Sequence, residues 1–242
     1  MRTVLSLFIR DMKNIFRDPI LLVSIFLPIC LAILGRIFFP ILEQNLFVMY
    51  AFNLSKHYDF MMSILLLLTP LLIGMLMGFM ILEERDEGII LFMSVTPLKK
   101  SGYFIYRFGL PVLISVWISF FVLYITNIVP INIMKQLPVI VLLALEAPLI
   151  ALCMGVLAGN KVEGLSVSKV LNIMLLAPFA GYFLESKIQL LAGVLPPYWA
   201  SMAFMKSFEE VGIYFLYLSI SVIFHCILFY VLFKWFNQKI EN

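Results

Sequence analysis

Charge is scarce in this sequence: 13% of its 242 residues are Asp, Glu, Lys or Arg, against roughly 25% in a soluble domain. So few charges cannot cover a water-solvated surface of ordinary size, which excludes a soluble globular protein. Histidine is nearly missing as well. The 2 histidines, His57 and His225, lie far apart and in no H-E-x-x-H pattern, which removes the helical zinc site of metalloproteases. The 3 cysteines, Cys30, Cys153 and Cys226, each fall within an apolar run and read as small core residues, with no disulfide framework or metal cluster. A G-x-x-x-x-G-K-[ST] phosphate loop is absent. The nearest string, GNKVEGLS from Gly159, lacks the Lys-Ser/Thr pair that reaches the phosphates and Mg²⁺. The acidic pair Glu83-Glu84 invites comparison with membrane-embedded proteases that carry Arg four positions after the second Glu. Here that position is Gly88, and Arg85 comes too soon. The chain is therefore not expected to be an enzyme, nor to hold a cofactor or metal of its own.

What is there is mostly apolar: 63% hydrophobic residues, including 23 Phe and 14 Met, with a mean hydropathy of +1.07. A bilayer core about 30 Å thick takes about 20 mainly apolar residues per helical span. Runs of that length recur near Ile20 to Ile41, Asp59 to Leu82, Phe108 to Val129, Pro138 to Ala158, Val170 to Leu184 with a continuation, and Ile213 to Phe233. The fold class expected is an all-α integral membrane protein with six transmembrane helices. Residues 1–242 then form one transmembrane domain with no room for a soluble one. With the N-terminus cytoplasmic, that side holds Arg2, Arg10, Lys13, Arg17, Arg85, Lys99, Lys100, Arg107, Lys161, Lys169, Lys234 and Lys239. The opposite side keeps only Arg36, Lys56, Lys135, Lys187 and Lys206, so the positive-inside rule puts both termini in the cytoplasm.

Three stretches do not read as spans. Residues 1–18 are too interrupted by Arg10, Asp11, Lys13, Arg17 and Asp18 to be a signal peptide. Leu5, Phe8, Ile9, Met12, Ile15 and Phe16 instead recur at helical spacing opposite Arg2, Arg10, Lys13 and Arg17, the pattern of an amphipathic helix lying in the headgroup plane. Residues 83–107 place a short apolar run, Ile89 to Val95, between acidic Glu83, Glu84, Asp86 and Glu87 and basic Lys99 and Lys100. Thr96-Pro97 closes it. That run is too short to cross a membrane, so it buries its apolar face against its own helices or offers it to another protein. Residues 185–212 are too polar at Glu185 to Lys187 for one clean helix and too apolar for a solvated loop. A re-entrant element fits, ended by Pro196-Pro197, with Tyr198 and Trp199 in an interfacial aromatic belt.

Within the spans, ionisable side chains are candidates for function because burying charge in hydrocarbon is costly. Glu146 and Arg36 lie at similar depth and can pair; alternatively Glu146 faces a substrate pathway, with Arg36 snorkelling to the interface. His225 reads as a buried, hydrogen-bonded histidine. Two GxxxG strings, Gly74 to Gly78 and Gly155 to Gly159, allow close helix approach, and Pro28, Pro70, Pro148 and Pro178 permit kinks in four spans.

The order of parts, with the acidic residues Glu83, Glu84 and Glu87, then Gly88, an apolar helix and VTPL from Val95 to Leu98, resembles the permease subunit of ABC-2 type ABC transporters over the whole chain. NKVEG from Asn160 and LPPYW from Leu195 resemble the small-permease group of fluoroquinolone exporters. The resemblance implies an ABC-2 exporter fold in the cell membrane, with a second permease subunit, identical or related, and two copies of a separate ABC ATPase that binds ATP and Mg. It implies that Glu83, Glu84, Glu87, Gly88, Ile89, Phe92, Val95, Thr96 and Pro97 couple to that ATPase, the acidic residues orienting the segment through basic residues of the partner. A hydrophobic or amphipathic cargo, drug or peptide, fits spans so poor in charge. Two other readings stay open at this point: an ion-coupled secondary transporter using Glu146, and a non-transporting membrane protein that binds a partner through residues 83–102. No nucleic-acid partner is expected.

Overall fold

The computed structural model describes residues 2–90, 99–184 and 187–241. Among them there is no strand, and six helical segments are long and apolar enough to cross a membrane. Helix α1 (Arg2–Arg17) is separated by Asp18 from α2 (Pro19–Tyr50), whose first residue suits proline because the first helical N–H has no partner to lose. The long α2 runs past Pro28 and Pro40 and ends at Ala51, which takes a positive φ of 50°. A 3-10 turn (Leu54–His57) leads into α3 (Tyr58–Asp86). Helix α4 (Lys99–Thr126) starts well before the expected Phe108, so Arg107 lies inside it.

The fourth span is two helices, α5 (Ile133–Ala144) and α6 (Glu146–Leu157). Pro148 has no N–H to give the Ala144 carbonyl, and the helix breaks between them at Leu145. The fifth is likewise divided into α7 (Lys161–Leu171), a 3-10 turn (Asn172–Leu175) and α8 (Leu176–Phe183). Here Pro178 removes the donor that would bond Met174 four residues earlier.

The core is built on the pair α3 and α6, the most extensive helix contact. Glycine makes it possible: a Cβ on Gly74 would lie 2.6 Å from the Ala147 carbonyl oxygen and one on Gly78 would meet the Met154 side chain, while one on Gly155 would meet the ring of Phe236 in the last helix. The GxxxG strings thus serve packing within the chain. Around this pair, α2 and the last helix, α10 (Val211–Glu241), turn large apolar side chains outward, Ile33, Ile37, Phe38, Phe215, Ile223 and Ile227 among them, as lipid-facing surfaces do.

Between α8 and α10, a 3-10 stretch (Lys187–Val194) is followed by α9 (Pro196–Lys206), which folds back along the start of α10 with Trp199 against Tyr217. A helical element that folds back thus stands where the re-entrant one is expected, and Pro196-Pro197 begins its second helix instead of ending the first. Both prolines occupy positions whose N–H groups an α-helix leaves unbonded. Tyr198, expected in an interfacial belt, is fully buried against Phe60, Ala177, Met202 and Met205.

Candidate functional site

Both termini and the end of α3 lie on one face of the bundle, where a buried ionic knot ties three helices together. Arg107 on α4 is 1% exposed and its guanidinium is shared between two carboxylates. Its Nη1 and Nη2 donate to Asp11 of α1 at 2.6 and 3.0 Å. Its Nε donates to Glu84 of α3 at 2.8 Å, and Nη2 also bonds Glu84 Oε1. Tyr106 donates to Asp11 at 2.6 Å and Tyr103 to Glu84 at 2.5 Å. The planar fork of Arg suits two bidentate acceptors at once, which a lysine cannot match.

The helical register explains why Asp11 arrives here. Leu7, Asp11 and Ile15 are four residues apart and form the buried stripe of α1, while Phe8, Ile9 and Phe16 are exposed. The amphipathic helix thus carries an ionisable group on the face it packs against the bundle, and its largest apolar side chains point away.

The acidic segment is satisfied inside the chain. Glu83 accepts from Lys161 at 3.0 Å, Asp86 from the Lys161 backbone N–H, and Glu87 from Arg10 at 3.0 Å. Arg85 and Lys239 donate to carbonyls at the end of α6, Arg85 to Gly155 and Ala158, Lys239 to Val156 and Ala158, where helix dipoles favour cations. Gly88 adopts φ +71° with nothing near its missing Cβ; it is the left-handed residue that ends α3. Ile90 is buried beside Leu7, Met80 and Tyr103, with Ile89 packed on the same cluster. The acidic residues expected to orient the segment on another protein thus also have partners within their own chain. Phe92, Val95, Thr96 and Pro97 lie outside the described residues.

Within the spans the structure separates Arg36 from Glu146. Arg36 donates to the Ile125 carbonyl near the end of α4 at 3.0 Å. Glu146, 0% exposed, is hydrogen-bonded to a residue on α10: its Oε1 is 2.9 Å from His225 Nε2. The other ring nitrogen, Nδ1, lies 2.8 Å from the Ser221 carbonyl. That pairing was not legible because the partners are 79 residues apart in sequence.

Two cavities share Leu145, Phe229 and Phe233 in their linings. One, about 630 Å³, runs between α4 and α10 from Lys100, Ser101 and Asn237 at the terminal face past Phe104 and Phe108 to Leu145 and Phe229. The second, about 440 Å³, adds His225, Cys226 and Tyr230 to those three, and Glu146 lines neither cavity. No cluster of residues able to hold a metal is found among the described residues.

A family model described as "Fluoroquinolones export permease protein Rv2686c-like" matches residues 11–233. Among curated proteins, the fluoroquinolones export permease proteins Rv2686c of Mycobacterium tuberculosis strain ATCC 25618 / H37Rv and MT2760 of strain CDC 1551 / Oshkosh are similar. Each is 27% identical over 232 residues, 95% of this chain and 92% of the relative. No solved structure matches the chain.

Proposed function

Because the chain belongs to the Rv2686c-like family of fluoroquinolone export permeases, we propose that it is the membrane-spanning subunit of an ATP-driven exporter of hydrophobic or amphipathic drugs. The observation that carries this reading is the family match across residues 11–233, on a multi-pass membrane protein with six candidate spans. In this reading the terminal face, rich in Lys and Arg, is cytoplasmic in the cell membrane. Two permease subunits pair there with two copies of a separate ATPase. This chain performs no hydrolysis; ATP and Mg belong to the partner, in keeping with the missing phosphate loop.

Docking falls to the part of the apolar run from Phe92 to Val95, closed by Thr96-Pro97, because Glu83, Glu84 and Glu87 have partners in their own chain and Ile89 and Ile90 pack on its bundle. Movement imposed on that run passes directly to the ends of α3 and α4, and through Arg107 to α1. A rigid knot suits transmission, since its two carboxylates and one guanidinium lose several hydrogen bonds together if the helices separate.

The test is expression in a drug-sensitised host together with the candidate ATPase, with fluoroquinolone accumulation as the readout. Accumulation should fall with both subunits, and Phe92→Asp should abolish both the fall and co-purification of the ATPase. Undiminished efflux and ATPase binding in Phe92→Asp would remove the docking assignment. Unchanged accumulation with the wild-type pair would remove the exporter.

A further inference from the structure

A cavity on the flank of a membrane bundle does not stay empty, because wall atoms that face a void lose their dispersion contacts, and a lining of phenylalanine and aliphatic side chains offers water nothing to bond. The 630 Å³ cavity between α4 and α10 is of that kind over most of its length. Phe108 meets Phe229 and Phe233 edge to face, with ring centroids 6.2 and 6.1 Å apart, and Phe104 meets Phe233 at 5.8 Å, so ring contacts close its inner side. Its rim carries the exposed Ile105. The cavity therefore opens sideways, towards lipid.

One end alone is polar. Lys100, Ser101 and Asn237 line it at the terminal face, and no Asp or Glu stands in the lining among the described residues. Lys161, which lines a smaller cavity, is bonded by Glu83 at 3.0 Å and lies 4.0 Å from Asp18. Lys100 has no such carboxylate among the described residues. The lining follows α4 from Lys100 to Val112, about 18 Å at ~1.5 Å per residue. One leaflet of the hydrocarbon core is about 15 Å thick. Cavity and leaflet match in depth as well as in polarity.

We propose that this cavity holds one anionic phospholipid from the leaflet at the terminal face, an acyl chain along Phe104 and Phe108 and the phosphate at Lys100, Ser101 and Asn237. Basic pockets between membrane helices bind such headgroups because the low dielectric nearby strengthens the attraction. Lys100 supplies the charge, while the Ser101 hydroxyl and the Asn237 amide donate to phosphate oxygens. Gly109 makes the room, since a Cβ there would meet nothing within 4 Å. Phe104 and Phe108 flank Arg107 on α4, so the bound chain also supports the helix that carries the ionic knot. The assignment rests on membrane residence and is independent of the exporter reading.

Native mass spectrometry of the delipidated full chain, titrated with dioleoyl phosphatidylglycerol or dioleoyl phosphatidylcholine, counts the bound lipid. One phosphatidylglycerol should bind about fivefold more tightly than phosphatidylcholine, the factor that one lysine facing an anionic lipid supplies. Lys100→Gln should remove that preference and leave phosphatidylcholine unchanged. Gly109→Leu, which fills the cavity, should weaken both lipids while the lipid-free thermal midpoint stays no lower than that of the wild type. Gly212→Leu, at another glycine with open space around its Cβ, should leave both unchanged. Excess glycerol 3-phosphate should not displace the lipid. Equal binding of the two lipids by the wild type, an unaltered preference in Lys100→Gln, unaltered binding in Gly109→Leu, or displacement by glycerol 3-phosphate would overturn the assignment. Loss of a dimer in Gly109→Leu with lipid binding unchanged would overturn it too, giving the cavity to a second copy of the chain.

Discussion

Replacing Arg107 by methionine tests the ionic knot most directly. The side chain keeps similar length and apolar volume, but four hydrogen bonds to two carboxylates disappear, and Asp11 and Glu84 are left buried, at 1% and 5% exposure. Removing one partner of a buried ion pair costs about 3 to 5 kcal/mol, because the remaining charge stays unpaired. At roughly 2 to 4 °C per kcal/mol for a chain of this size, the thermal midpoint in mild detergent should fall by about 6 to 20 °C. The triple change Asp11→Asn, Glu84→Gln, Arg107→Met removes the unpaired charges and should recover most of that loss, since strongly coupled sites are not additive. Size-exclusion of a fluorescent fusion after a temperature series reads both. A loss within about 0.5 kcal/mol of wild type, or a triple variant no better than the single one, would refute the view that the guanidinium is what holds these carboxylates.

Other perturbations follow from the same geometry. Gly74→Ala should destabilise by about 1 to 3 kcal/mol through overpacking against the Ala147 carbonyl, measured by the same thermal series; an unchanged midpoint would mean that α3 and α6 do not pack at this distance. Gly88→Ala should cost about 1 to 2 kcal/mol for a left-handed residue, with Gly88→Asn milder, since nothing crowds the Cβ and only the backbone conformation matters; equal cost of both would point to a contact instead. Ala51→Gly should stabilise by about 0.5 to 1 kcal/mol, relieving a positive φ at the end of α2 at the usual entropic cost of glycine. Unfolding in graded denaturant is the check, and a loss of stability would contradict that backbone geometry.

The acidic segment shows how a family pattern and a structure divide the explanation. Glu83, Glu84, Glu87 and Gly88 stand together in sequence and invite a single role. In the fold they separate: Glu83 turns to α7, Glu84 into the bundle, Glu87 to α1, and Gly88 ends a helix. Each of them has a partner or a backbone role within the chain, so a loss of transport in such variants reports on the bundle as well as on a docking surface.

Membrane residence, the number of spans and the close-packed glycines were determined by the sequence itself, because hydropathy and helical periodicity are settled within windows of about 20 residues. One further clue was legible in principle: Asp11 lies four residues from Leu7 and from Ile15, so the face that hides those two must also hide a carboxylate. Its partner was not legible, since Arg107 is 96 positions away and any basic residue near that face satisfies the pattern equally well. Glu146 and His225 are alike in this, and so is Arg36, whose acceptor is a backbone carbonyl indistinguishable in sequence from any other. Pro196-Pro197 can end one helix or begin the next, and only the packing of Tyr198 and Trp199 against α3, α8 and α10 selects the second. A burial preference belongs to each residue and travels with the sequence, whereas a partner is chosen by helix rotation and the distance between backbones, which exist only once the bundle has closed.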